Sequence, residues 1–166
     1  MVWGKRHMEK HSIEIKPITQ ENIRACAKLE VSEDQKQFVA RNLATIAWAY
    51  VDPQFTPYAI CDGDTVVGVA AVEYIPDNED YDQHWVPRFM IGEQFQGRGY
   101  GKQGMQKIIE MITSQHPNCQ RVRLSVVPEN QDAITFYKNI GFMETDEQLE
   151  GENVMDYYIK SHIVKA

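Results

Sequence analysis

The sequence predicts an α/β protein with a mixed, mostly antiparallel central sheet of about seven strands flanked by about four helices. Three observations predict it. β-rich runs alternate with amphipathic helical segments through the middle of the chain, the pattern of strand–helix–strand units. Pairs of β-rich runs around tight turns stand toward both ends, the pattern of antiparallel hairpins. The 166 residues, 43% of them hydrophobic, suit one domain with one sizeable core.

The elements follow in order. Ile13-Glu14-Ile15-Lys16-Pro17-Ile18 alternates apolar and polar, as a half-buried strand does. Thr19 is placed to cap a helix from Glu21 to about Glu30. Phe38, Leu43, Ile46, Ala47 and Tyr50 recur near helical spacing and predict a second helix from about Asp34 to Tyr50, ended by Asp52-Pro53. Tyr58 to Cys61 and Val66 to Tyr74 flank Asp62-Gly63-Asp64 as a hairpin. The polar, acidic stretch Pro76 to Asp82 separates this hairpin from a strand over His84 to Ile91. A helix from Lys102 to Ser114 carries Met105, Ile108, Ile109 and Ile112 on one face, and His116-Pro117 closes it. Arg121 to Val126 is a strand ended by Pro128, Asp132 to Asn139 is helical, and Gly141 suits its exit. Two last strands, near Phe142 to Leu149 and Asn153 to Lys160, flank Glu150-Gly151-Glu152.

Composition narrows the class of function. A net charge of −7 argues against a nucleic-acid partner and leaves room for a cationic small molecule. No apolar run approaches the ~20 residues that span a bilayer, so no membrane partner is expected. Residues 1–12 are basic without an apolar region behind them; they read as a flexible leader rather than a secretory signal, and residues 13–166 as a single domain of a cytoplasmic protein. Cys26, Cys61 and Cys119 are odd in number and far apart, and the five histidines lack ligand spacing, so neither a disulfide framework nor a metal site is expected.

The sharpest local signal is Gln96-Gly97-Arg98-Gly99-Tyr100-Gly101, between the apolar Phe89-Met90-Ile91 and the amphipathic helix. Glycines at alternate positions allow a tight turn with its N–H groups close to a ligand, and the helix start adds unpaired N–H groups and a positive dipole end. That is a site for phosphate or pyrophosphate. The GxxxxGK[ST] loop is excluded because no Gly-Lys-Ser/Thr closes it, and GxGxxG because Lys102 stands where its last glycine belongs. A second block follows: Leu124-Ser125-Val126-Val127-Pro128-Glu129-Asn130, then Ala133-Ile134-Thr135-Phe136-Tyr137, then Gly141-Phe142.

Gln-x-x-Gly-x-Gly between strand and helix, with the second block behind it, resembles the GNAT superfamily of N-acetyltransferases over roughly residues 13 to 160. The element order β-α-α-β-β-β-α-β-α-β-β is also that family's. The resemblance implies that residues 96–102 bind the pyrophosphate of acetyl-CoA: Gln96, Gly97, Arg98, Gly99, Tyr100, Gly101 and Lys102. Arg98 and Lys102 would neutralise it, and Gln96 would serve through structure and backbone. The pantetheine arm would pair with the strand edge at Phe89, Met90 and Ile91. The sheet would be splayed in the middle, at Ile91-Gly92 and Val126-Val127, with the thioester between and its carbonyl facing a backbone N–H. Asn130 would cap its helix and reach the cofactor arm.

Tyr137 reads from the residues alone as a core aromatic beside Phe136; the resemblance assigns it to the departing thiolate as general acid. In polyamine acetyltransferases, the nearest subgroup, a carboxylate precedes the glycine loop; here that position holds Pro87, and Glu73 is the substitute general base. The expected reaction is acetyl transfer from acetyl-CoA to a primary amine of a small cationic acceptor, with spermidine and spermine first. A protein N-terminus, an amino acid, an antibiotic amine, or a non-catalytic acyl-CoA sensor are the alternatives. Glu30, Glu33 and Asp34, with Asp77, Glu79, Asp80 and Asp82, are either polyamine ligands or solubilising charge. Trp48, Phe55, Tyr58, Tyr81 and Trp85 line an amphipathic pocket or belong to the core. The residues leave oligomeric state open, although homodimers are common on this fold.

Overall fold

The computed structural model describes residues 11–76 and 84–160. Asp77, Glu79, Asp80, Tyr81 and Asp82 lie outside the described residues, as does most of the segment 1–12. The elements are β1 (Ile13–Pro17), α1 (Ile23–Lys28), α2 (Asn42–Val51), β2 (Phe55–Asp62), β3 (Thr65–Tyr74), β4 (His84–Ile91), α3 (Tyr100–Gln115), β5 (Arg121–Val126), α4 (Gln131–Ile140), β6 (Met143–Leu149) and β7 (Glu152–Tyr158). The strands form one seven-stranded sheet in the order β1-β2-β3-β4-β5-β7-β6. All neighbours are antiparallel except β4 and β5, which α3 joins in parallel.

Strand alternation sorts the apolar residues onto two faces. On one face Ile60, Val67, Ala70, Ile91, Val122, Leu124 and Met155 pack with Met105, Ile108 and Ile112 of α3 and Ile134 of α4. On the other, Ala59, Cys61, Val66, Val69 and Met90 pack with Cys26 and Leu29, from α1 and its end. The expected face of α3 is thus the buried one. Each such side chain contributes about 1.5–3 kcal/mol by leaving water, enough to outweigh the glycines in the first turns of the helix. Among the described residues no helix is long and apolar enough to cross a membrane.

The first two helices differ from expectation. Helix α1 starts at Ile23, because Asn22 ties the turn: its Oδ1 accepts from the Thr19 N–H at 2.8 Å and its Nδ2 donates to the Pro17 carbonyl at 2.9 Å. Thr19 is therefore not the cap. The expected helix from Asp34 to Tyr50 is divided into a short 3₁₀ turn, Glu33–Gln35, and α2. The side of α2 turned inward carries Asn42 and Thr45, while Leu43, Trp48 and Tyr50 are exposed. Asn42 is inside because its Nδ2 donates to the Cys26 and Leu29 carbonyls at 2.8 and 3.3 Å, satisfying the end of α1. A hydrogen-bonding demand of this kind overrides apolar periodicity.

At one edge of this architecture, Tyr74, His84 and His116 stack, with ring centroids 4.2 to 4.9 Å apart. His84 is buried and its Nδ1 has no hydrogen-bond partner among the described residues. Burial, with His116 alongside, pushes its pKa down to about 4. Between that value and the ordinary ~6.5 of an unfolded histidine, the unfolded chain binds more protons, so stability falls as pH drops through this window. The expected contribution is on the order of 2–3 kcal/mol. His84→Phe should accordingly lose less stability than the native chain between neutral pH and pH of about 4, as measured by urea denaturation at each pH.

Candidate active site

The site arises where the sheet comes apart. β4 and β5 are paired at Trp85↔Arg123, and beyond that point no register partner joins them. Arg123 is almost fully buried and pins this junction. Its Nε donates to Asp156 on β7 at 2.7 Å, its Nη2 to Glu147 on β6 at 2.6 Å, and its guanidinium lies 5.1 Å from the Trp85 ring centroid. A register shift between β3 and β4 near Ala71 and Glu73 turns β4 away. A cavity of about 510 Å³ opens between the parted strands, lined by Phe89, Met90 and Ile91 on one side and Leu124 to Val127 on the other. The parting begins earlier than the expected Ile91-Gly92 and Val126-Val127. It leaves the backbone of β4 exposed to the cavity, as an amide-rich ligand arm requires.

The glycine loop closes one end. Gly97 and Gly99 have φ of +75° and +86°, which side chains other than glycine rarely adopt. Those angles turn the chain into the first residues of α3, whose unpaired N–H groups and dipole suit an anion. The side chain of Gln96 is structural: its Nε2 donates to the Ile91 carbonyl and to Gln35, each at 2.9 Å. Gln96, Gly97, Gly99, Gly101 and Lys102 line the cavity; Arg98 and Tyr100 do not. Tyr100 instead points inward and donates to Asp62 at 2.7 Å, which holds that carboxyl below its ordinary pKa. Its ring stacks on His11 at 4.0 Å, and the His11 Nε2 stands 2.8 Å from the Arg98 carbonyl. The Arg98 guanidinium lies 5.3 Å from the Tyr100 ring centroid. Gly101 has a packing reason as well: a Cβ there would stand 2.9 Å from the Phe136 ring.

Helix α4 brings the second block to the same cavity. Asn130 caps it, its side chain accepting from the Ala133 N–H at 3.3 Å, and also lines the cavity. Tyr137 lines the cavity from the next turns, held edge-on by Phe136 and Phe142 at 5.2 and 5.6 Å. Burial pushes its phenol well above the ordinary tyrosine pKa, so it keeps its proton at neutral pH. The two readings of Tyr137, core aromatic and reactive phenol, are thus compatible: the ring packs while the side chain faces the cavity.

Other candidates fall elsewhere. Glu73 is not among the cavity-lining residues; it sits at the end of β3 between Phe55 and Trp85, its pKa raised by burial and by Asp52. Glu30 and Glu33 both pair with Lys36, at 3.4 and 2.6 Å. Phe55 is core, Trp48 is exposed, and Trp85 belongs to the Arg123 junction. Five further polar residues line the cavity: Gln35, Arg88, Ser125, Asp132 and Glu152. The Ser125 partner, Glu152, lies 27 residues on, across a strand pairing with no local signature in the sequence.

Comparison with known proteins agrees with this geometry. Residues 20–142 match the Acetyltransferase (GNAT) family. The chain is 29% identical over 148 residues to the spermine/spermidine N(1)-acetyltransferase of Bacillus subtilis (strain 168), covering 87% of this chain and 97% of that protein. It is 28% identical, with the same coverage, to a probable spermine N(1)-acetyltransferase of Bacillus subtilis subsp. natto. Among solved structures, the GNAT domain of S. lividans PAT superposes with a TM-score of 0.69 at 16% identity, covering 94% of this chain and 99% of that one. The PaiA N-acetyltransferase from Thermoplasma acidophilum, in complex with coenzyme A, gives 0.63 at 15%, covering 89% and 99%.

The Arg123 junction makes a prediction of its own. Asp156 is 1% exposed and bonded to both Arg121 and Arg123. Asp156→Asn should destabilise the fold by about 3–5 kcal/mol, the usual cost of leaving a buried charge without its partner. Chemical denaturation of the two proteins at equal ionic strength measures it.

Proposed function

Because the chain belongs to the acetyltransferase (GNAT) family and is thus an acyltransferase, we propose that it transfers acetyl from acetyl-CoA directly to a primary amine of a polyamine such as spermidine or spermine. One observation carries the acetyl-transfer reading: the glycine loop, the bare edge of β4 and the Tyr137 side chain converge on one cavity where the sheet divides. The polyamine reading is supported by similarity to the two Bacillus proteins over nearly their whole length.

The residues present fit the donor. The N–H groups of residues 97–101 and the Lys102 ammonium suit its pyrophosphate. The β4 backbone at Phe89 to Ile91 suits the amides of its arm, and Asn130 stands beside the same path. With the thioester in the split, the amine nitrogen attacks the carbonyl carbon and the carbon–sulfur bond breaks. The Tyr137 hydroxyl gives its proton to the departing sulfur, and the proton that nitrogen loses restores the phenol. Holding the two reactants in line supplies much of the acceleration.

Arg88 favours a second acceptor class. It lines the cavity, and its Nη1 donates to the adjacent Pro87 carbonyl. A cation there would attract an amine that also carries a carboxylate, such as an amino acid, and would oppose a polycation.

Acetyl-CoA should raise the melting temperature, since it binds only the folded chain, while NAD and ATP should not. Thiol release across spermine, spermidine, a monoamine and an amino acid then separates the acceptors. Polyamines leading, with rates that fall as salt rises, is the expected result; an amino acid leading establishes the Arg88 reading. Tyr137→Phe should keep acetyl-CoA affinity and lower kcat by roughly 10²-fold or more, with little change in stability because the ring still packs.

A further inference from the structure

Neither Pro87, which lines the cavity, nor Glu73, which does not, places a carboxylate at the split. Among the described residues two carboxylates line the cavity, Asp132 and Glu152. Asp132 lies in the first turn of α4, exposed, where the helix dipole already accounts for a negative charge. Glu152 has no such account. It opens β7 beside Asn153, which pairs with Val126. Its Oε2 accepts from the Ser125 hydroxyl at 2.5 Å. Among the described residues no Lys, Arg or His stands within ion-pair distance of it, whereas the neighbouring Arg123 already meets Asp156 and Glu147.

Strand alternation also decides which face it serves. Leu124 and Val126 point into the core beneath α3 and α4, so Ser125 points to the opposite face with Arg123. The glycine loop and Tyr137 belong to the α3 and α4 side. A carboxylate held by Ser125 therefore stands across the split from the anion site, where an acceptor would approach the thioester.

Resting on the acetyl-transfer reading above, we propose that Glu152 is the ammonium subsite of the acceptor, with Ser125 as its positioning residue. An acceptor nitrogen enters as an ammonium, pairs with Glu152 as it leaves bulk water, releases one proton to solvent and attacks as the free amine, its second proton restoring the Tyr137 phenol. A half-buried carboxylate with one oxygen fixed by a neutral hydroxyl offers it a charge-assisted hydrogen bond and an ion pair. Ser125 restricts the carboxylate to one orientation without neutralising it. The subsite reads charge: it selects amines that are protonated at working pH and orders them against the split.

Steady-state thiol release from acetyl-CoA tests this, with spermine as a charged acceptor and hydroxylamine as one that is neutral at pH about 7. For Glu152→Gln, the loss in kcat/KM for spermine should exceed that for hydroxylamine by at least about tenfold, carried mainly by KM. Acetyl-CoA affinity, read by thermal shift, should stay unchanged. Glu152→Asp should recover part of the loss. Ser125→Ala, which keeps the carboxylate and frees it, should show the same selective pattern at smaller size, so the test survives if Glu152→Gln folds poorly. Equal losses for both acceptors, or no loss with spermine, overturn the subsite while leaving acetyl transfer in place. A native protein that binds acetyl-CoA but releases no thiol with spermine, hydroxylamine, a monoamine or an amino acid overturns the acetyl-transfer reading itself, and the subsite with it; thiol release with the amino acid alone overturns only the subsite.

Discussion

The separation of β4 from β5 is the constraint on which the rest of the structure depends. A parallel pair in the middle of a sheet ordinarily satisfies its backbone along its whole length. Here the pairing is held at Trp85↔Arg123 and then given up. Arg123 makes that arrangement stable. Its charge would be costly to bury alone, and it is buried instead against Asp156, Glu147 and the Trp85 ring, which join β4, β5, β6 and β7 at one point. The same cluster that closes the sheet at one end lets it open at the other. The β4 backbone beyond the junction is left without a β5 partner beside the cavity, and hydrogen bonding left unmet in this way suits the extended, amide-rich donor arm proposed above.

The two ends of the cavity differ in charge for separate local reasons. At the glycine loop the positive end comes mostly from backbone: N–H groups exposed by two left-handed residues and by the first turn of α3, with Lys102 added. Backbone charge costs no side-chain entropy and cannot be titrated away. At the opposite face the charge is carried by side chains, Glu152 and Arg88.

The glycine loop also has a supporting layer. Tyr100, expected among the ligands, turns inward to Asp62 and His11, while Gln96 ties the loop to β4 and Gln35. Gly101 leaves room for Phe136, which packs beside Tyr137. The glycine loop and the helix that carries Tyr137 therefore touch directly.

Much of this was legible in the sequence. The hairpin β2–β3, the strand–helix–strand run through α3, the cap and exit of α4, and the glycine loop are local events, each written within a dozen residues by turn chemistry or periodicity. The failures were tertiary. The apolar period misplaced α2 because Asn42 is drawn inside by the α1 carbonyls, a demand made by another helix. Glu73 ends the strand next to β4, but ending a neighbouring strand does not bring its side chain to the cavity lining. Ser125 and Glu152 meet only because β7 inserts between β5 and β6, bringing together residues with no local relation. Sequence by itself determined the strands, the order of the elements and the left-handed glycine turn before α3, since these follow from short-range backbone preferences. Tertiary structure alone decided where the sheet opens and which charges face the opening, because both depend on pairings between strands far apart in the chain.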